Sequence, residues 1–316
     1  MGSDAVLETR GLTKRYADFT AVEDLSLEIR EGEVFGFLGP NGAGKTTSIS
    51  MMCGLLQPTA GQVLVRGEPI SGGSADVRSR VGVCPQEIVL WDRLTCIEQL
   101  EFIGQMYGIP RAEARKRGAR LLEEQGLSEK ANKQARTLSG GMKRRLNIAM
   151  ALVHDPEIVV LDEPEAGLDP QSRVRVREYI QKLAHDKTVI LTTHNMDEAD
   201  RVADRIAIID HGKLLVLDTP SALKRSVGEG DVVEIGYQGS AEGARAVEER
   251  LAAITDHAEL NADTQVLTVR SLDAVGRLPA VLEAVEEAGL EAGDVRIRQN
   301  TLEDVFIKLT GRRLRE

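Results

Sequence analysis

The run VFGFL, followed at once by GPNGAGKT (Gly39 to Thr46) and then by TSISMMCGLL, restricts the fold more than any other part of this chain. A short, wholly apolar run reads as a buried strand, and the run after the loop has helical texture. A strand that ends in a glycine loop and restarts as a helix is a βα turn. The octet fits G-x-x-x-x-G-K-[ST] in full and stands between a strand and a helix, the setting in which such a loop wraps phosphate. Gly39, Gly42 and Gly44 let the main chain bend around the anion, and Pro40, Asn41, Ala43 and Thr47 complete the loop and the first helical turn. Lys45 reaches the outer phosphates as a point charge, and the Thr46 hydroxyl is placed for Mg²⁺.

The rest of the chain supplies a setting for such a loop. Upstream, AVLETRGLTKRY and FTAVEDLSLEIR alternate apolar and polar residues and predict strands, and GQVLVRGEPI predicts a further pair of antiparallel edge strands. Residues 92–153 read as mostly helical, with Thr95 and Glu98 spaced as a capping box. EIVVLDEP and TVILTTH are buried strands separated by a helix that has Pro170 near its start, and RIAIIDHGKLLV is a hairpin turning at Gly212. Strands alternating with helices predict an α/β core. The texture changes near 220–230, where a helix is followed by a glycine-flanked linker. Beyond it the pattern is β-α-β-β-α-β, a ferredoxin-like order, with a last helix in TLEDVFIKLTG. The expected domains are 1–225 and 226–316.

Composition narrows the partners. With 40 basic against 50 acidic residues the formal charge is −10, which argues against a nucleic-acid-coating protein. Cys53, Cys84 and Cys96 form no CxxC pair and read as reduced structural thiols. The N-terminus lacks an apolar signal core, and no run approaches the roughly 18 apolar residues that span a bilayer. Work at a membrane would need another chain to make the crossing.

Two acidic residues and a histidine complete a hydrolytic set. Asp162 emerges at the C-terminal end of IVVLD, where it can hold a metal-bound water, and Glu163 follows, able to polarise the water that attacks a γ-phosphate. His194 ends VILTTH, on a strand expected beside that of Asp162, whereas His154, His185, His211 and His257 read as ordinary surface or core residues. Gln86, in VGVCPQE, offers a neutral amide to Mg²⁺ or to the attacking water. Tyr16 is either an ordinary strand aromatic or a platform on which a purine stacks. A second anion device lies far downstream: LSGGMKRRL puts Ser139, Gly140 and Gly141 before a helix that opens with three cations, Lys143, Arg144 and Arg145.

In this order, GPNGAGKT, CPQE, LSGGM, IVVLDEPEAGLDP and TTH resemble the ATPase subunit of an ABC transporter over roughly residues 5–225. LSGG is the most specific element, because other P-loop NTPases lack it. The resemblance implies a P-loop ABC ATPase fold with a mixed sheet core, an antiparallel edge sheet and a helical subdomain. It implies ATP and Mg²⁺ as ligands, with Thr46, Gln86 and Asp162 toward the metal. It makes Tyr16 the adenine-stacking residue, Gln86 the Q-loop, Ser139 to Met142 the signature, Asp169 the D-loop, Glu163 the catalytic base and His194 the switch histidine. It also answers why one chain carries two anion devices. Two copies face each other head to tail, each ATP is cradled by one copy's loop and capped by the other's signature, and the opposite loop brings the lysine.

Met142 stands where glutamine is usual, and Glu165 where a small or hydroxyl residue is common. SGGMKRRL, GLDPQSR and TLEDVFIKLTG are similar to exporters of the daunorubicin-resistance type, which implies a peripheral subunit at the cytoplasmic face of the cell membrane beside a separate permease. Leu90 and Trp91 fall where a partner's helix would dock or where the core would simply pack. The short interval between Lys45 and Ser139 leaves no room for the inserts of a DNA-repair ABC protein, and translation-factor members usually hold two ATPase halves, against one here. The remaining alternative is an ABC ATPase regulated through its C-terminal domain in a role other than export.

Overall fold

The computed structural model describes residues 5–70, 77, 79–228, 230–240, 243, 247, 250–251, 257–261 and 264–311. The chain divides between Pro220 and Ser221 into two compact units.

In the first unit the chain runs through β1 (Ala5–Tyr16), β2 (Phe19–Arg30), β3 (Val34–Leu38), α1 (Lys45–Met52), β4 (Ala60–Val65), β5 (Glu68–Pro69) and β6 (Val81–Cys84). It continues through α2 (Cys96–Met106), α3 (Arg111–Glu124), α4 (Gly140–Leu152), β7 (Ile158–Asp162), α5 (Pro170–Leu183), β8 (Thr188–Thr193), α6 (Met196–Val202), β9 (Arg205–Asp210) and β10 (Lys213–Asp218). A four-stranded antiparallel sheet has the order β2-β1-β4-β5, and a six-stranded sheet the order β10-β9-β3-β8-β7-β6. In the larger sheet only the β9–β10 pair is antiparallel. Every residue of β3, β7 and β8 is buried, as befits parallel strands covered on both faces.

On one side, Leu7, Ile29, Phe35, Phe37, Met51 and Val160 share a core that joins the two sheets and α1. On the other, Leu161 and Leu191 pack with Leu152 of α4 and with Val176, Tyr179 and Ile180 of α5. A third cluster, including Ile97, Leu100, Leu122 and Leu146, makes the helical part cohere. Thr95 and Glu98 form the expected capping box on α2. Cys53, Cys84 and Cys96 are free and buried, and burial raises the first two thiols to about 12 and about 11. Because β3, β6, β7 and β8 are parallel, their C-terminal ends open on one edge of the sheet. In an open α/β sheet that edge is where ligands bind.

In the second unit, α7 (Pro220–Val227) leads into β11 (Asp231–Gln238), β12 (His257–Asn261), β13 (Val266–Ser271), α8 (Ala274–Glu287), β14 (Glu291–Gln299) and α9 (Leu302–Thr310). The sheet is antiparallel in the order β12-β13-β11-β14, the strand order of a ferredoxin-like βαββαβ unit. The helix expected at 240–254 lies largely outside the described residues. The sequence boundary at 225 falls inside α7. Thr301 and Asp304 form a capping box on α9, and Asp304 also takes a two-pronged ion pair from Arg298 at 2.7 and 3.0 Å. Burial alone would raise the Asp304 carboxyl, but Arg298 and Thr301 outweigh it and hold it below the usual carboxylate range. No helix among the described residues is long and apolar enough to cross a membrane.

Candidate active site

The glycine loop is pressed into the surrounding main chain. A Cβ on Gly39 would stand 2.4 Å from the Ile209 carbonyl, and one on Gly44, whose φ is +100°, 2.5 Å from that of Ala21. Only glycine meets both demands at Gly44. The loop closes on itself through a 3.2 Å hydrogen bond from the Ala43 N–H to the Pro40 carbonyl, and the Gly212 N–H holds the Ala43 carbonyl at 2.9 Å. Lys45, the first residue of α1, donates to the carbonyls of Gly39 at 2.7 Å and Pro40 at 3.1 Å. Its ammonium thus lies across the loop. Burial pulls its pKa below the usual lysine range, while the carboxylates of Glu163 and Asp162 push the other way.

β7 and β8 deliver the acidic pair. Asp162, the last residue of β7, accepts a hydrogen bond from the Thr192 hydroxyl of β8. Glu163 turns into the left-handed region at φ 47°, an uncommon and costly conformation for a residue with a side chain. Its N–H donates to the hydroxyl of Thr192 at 3.0 Å and to its carbonyl at 3.2 Å. The Nδ1 of His194 lies 2.9 Å from both Glu163 carboxylate oxygens. An ionised carboxylate only accepts, so Nδ1 carries the proton and Nε2 is left for another partner.

These groups border a cavity of about 270 Å³ lined by Phe19, Ala21, Pro40, Asn41, Gly42, Gly44, Lys45, Thr46, Thr47, Gln86, Asp162 and Glu163. Of the residues expected at the site, ten line it. Gly39 and Ala43 lie behind it in the loop, and His194 joins it through Glu163. Tyr16 does not line it, although it is paired in register with Phe19, which does. The ammonium of Lys14 sits 5.3 Å from the Tyr16 ring centroid. Phe19 and Ala21 were not expected from the sequence, because FTAVEDLSLEIR read only as an alternating strand. The Thr46 hydroxyl, the Asp162 carboxylate and the Gln86 amide are all hard oxygen donors, a set that fits Mg²⁺.

Ser139, Gly140, Gly141 and Asp169 lie elsewhere. Ser139 caps α4 by accepting from the Met142 N–H, and both Ser139 and Gly140 are exposed. A Cβ on Gly140 would meet nothing, but one on Gly141 would strike the Ser172 hydroxyl at 2.2 Å. That hydroxyl donates to Asp169, the N-cap of α5, at 2.6 Å, so signature and D-loop residue adjoin within one chain. The three cations expected to greet an anion do not act together. Lys143 is half-buried, whereas Arg144 and Arg145 are buried and donate to main-chain carbonyls. Met142 packs against the helical core. Glu165 is buried and held by Arg177 at 2.8 Å.

A family model described as ABC transporter matches residues 22–166. Over its whole length the chain is 40% identical to the Nod factor export ATP-binding protein I of Ralstonia nicotianae, of which it covers 97%. It is 37% identical to the daunorubicin resistance ATP-binding protein DrrA3 of Streptomyces coeruleorubidus, with 99% of each chain covered. Among solved structures, the dimeric post-hydrolysis state of the ATP-binding cassette MJ0796 bound to ADP and Pi matches 67% of this chain and 98% of its own, at 28% identity and a TM-score of 0.61. With that cavity, that order of motifs and those relatives, the chain belongs to the ABC transporter family and is one of its ATP-binding ATPase subunits.

Proposed function

We propose that this chain powers an exporter of drugs or other small lipophilic compounds whose membrane-crossing part is a separate permease, and that two copies close head to tail over two ATP molecules. The export and resistance relatives support the direction of transport and the cargo class. In this reading residues 1–225 are the ATPase domain, 226–316 an accessory domain, and the subunit sits peripherally at the cytoplasmic face of the membrane.

The Gly39–Thr47 loop binds the triphosphate, Lys45 turns from the loop carbonyls to the outer phosphates, and Tyr16 stacks on adenine. Thr46, Gln86 and Asp162 would hold Mg²⁺, which neutralises phosphate charge. Glu163 takes the proton of the attacking water, and Gln86 helps orient that water. His194, fixed by its Nδ1–H bond to Glu163, presents Nε2 toward the γ-phosphate. Ser139, Gly140 and Gly141 of the partner copy, with its Asp169, cap the nucleotide using free N–H groups and the positive end of a helix.

One observation carries this reading. The lysine loop, Asp162, Glu163 and Gln86 border a single cavity, while the signature end of α4 is exposed and lines no part of it. A second chain is the natural source of the missing cap, and a dimeric cassette among the structural neighbours supports it. For the permease, Trp91 stands half out of the surface, edge-on to Phe102 at 5.1 Å, with Ile88, Val89 and Met106 also exposed. Such an apolar patch suits a partner's cytoplasmic helix. The test is sedimentation of Glu163→Gln with Mg-ATP. A dimer with ATP and a monomer with ADP is the expected result, and a monomer with both defeats the head-to-tail scheme.

A further inference from the structure

Arg144 is 2% exposed, and its hydrogen bonds end on main-chain oxygens. Nε donates to the Pro164 carbonyl at 3.1 Å, one terminal nitrogen to those of Pro85 at 2.6 Å and Gln86 at 3.2 Å, and the other to that of Asp162 at 2.5 Å. These four acceptors belong to the two segments that border the cavity. Two of them, on Asp162 and Pro164, bracket Glu163, the residue held at φ 47°. A third is the carbonyl of Gln86 itself. The neighbouring Arg145, buried in the same helix, donates to Gly141 and Gln125 instead, neither of which lines the cavity.

We infer that Arg144 is a positioning residue for hydrolysis: its planar fork pins the backbone on both sides of Glu163 and at Gln86, so that the base and the water-orienting amide face one point. The inference rests on the reading of Glu163 as the base. Arginine is required for geometric reasons. A guanidinium directs its N–H groups outward in one plane and reaches several carbonyls at once, whereas the ammonium of lysine is a compact point charge. A left-handed Glu163 persists only where its surroundings over-determine it. Thr192 holds its N–H, and Arg144 holds the carbonyls before and after its side chain. Arg144 also grows from α4, one turn beyond Gly140. A shift of the helix whose tip faces the partner's nucleotide would therefore move the base of this chain's own site.

The test is a double-mutant cycle on the full chain with Mg-ATP, using wild type, Arg144→Lys, Glu163→Gln and the double variant. Nucleotide affinity is followed with a fluorescent ADP and hydrolysis by phosphate release. Arg144→Lys should lower kcat about 100-fold, the penalty of an ångström-scale misplacement, with affinity within about twofold of wild type. In the Glu163→Gln background the same change should cost less than about threefold, because residues that act as a unit are not additive. Wild-type kcat in Arg144→Lys overturns the inference, as does an equal loss in both backgrounds or a loss of affinity in step with kcat. Failure of both Arg144→Lys and Arg144→Gln to fold would make the residue a plain core element and also overturn it. Full turnover by Glu163→Gln alone would instead remove the base reading beneath it.

Discussion

The molecule has two glycine-rich helix starts, and the surroundings of Gly39 and Gly44 in one differ from those of Gly140 in the other. Around Gly39 and Gly44 the fold leaves no space: carbonyls of Ile209 and Ala21 stand where a Cβ would go, and Lys45 is buried across the loop. At Gly140 nothing stands near, Ser139 is exposed, and the cations that follow are largely committed to carbonyls inside the chain. A glycine needed by its own chain is crowded by that chain. Gly140 is neither crowded nor at a positive φ, so nothing in its own chain requires glycine there. In the proposed dimer the first start is finished within one molecule and the second is completed against another.

Mutations can break that contrast. The largest effect is expected at Glu163, inside the finished half. Glu163→Gln should bind nucleotide normally and lose about 100- to 10,000-fold in hydrolysis, the span usual for a general base. Undiminished steady-state turnover would remove it from that role.

Next come the glycines themselves. Gly140→Ala should melt at the wild-type temperature yet hydrolyse about 100-fold more slowly, because in the proposed dimer its Cβ intrudes on the partner's nucleotide. Gly39→Ala should instead lose about 1–3 kcal/mol of folding stability through overpacking against Ile209. A thermal melt and an ATPase assay on the pair decide the matter. Were Gly140→Ala to lose stability and keep its rate, the open space would have no function.

A smaller effect separates the two starts by charge. Lys45→Ala should weaken nucleotide binding to the single chain about 10- to 100-fold, since hydrogen bonds to charged groups are worth about 1.5–3 kcal/mol. Ser139→Ala should leave that binding unchanged, as Ser139 lines no part of the same chain's cavity. A titration of monomers with ADP is sufficient. Equal losses in the two variants would place both anion devices on one nucleotide.

The contrast also explains what could be read from the chain alone. Local rules revealed the loop: a buried run, glycines at fixed spacing and a helix define it over a dozen residues. Asp162 and Glu163 were legible for the same reason, as the polar end of an apolar strand. Phe19 and Ala21 were not, because strand pairing and the packing of one sheet on another carry them to the cavity, and neither leaves a mark in FTAVEDL. Arg144 was misread. Three successive cations at a helix start look like an anion-binding surface, and only the tertiary fold reveals that Arg144 points inward at carbonyls from distant segments. The four strands of the second unit were legible from alternation alone, and the helix from Pro220 to Val227 runs through the change of texture read near 225.

The smallest predicted effect concerns the rim of the finished half, where sequence and geometry favour different aromatics. Tyr16 and Phe19 are paired across the β1–β2 turn, and only Phe19 lines the cavity. Tyr16 has the ammonium of Lys14 toward its ring at 5.3 Å, which leaves the rest of an exposed ring to receive a base. Stacking of a base on an aromatic is worth about 1–3 kcal/mol, so Tyr16→Ala should weaken ATP binding by about 1 kcal/mol, while inorganic triphosphate binds as before. Tyr16→Phe should bind ATP like wild type, because the π face and not the hydroxyl makes the contact. If Phe19→Ala costs more than Tyr16→Ala in the same titration, the base rests on Phe19, and Tyr16 serves only to hold the hairpin that presents it.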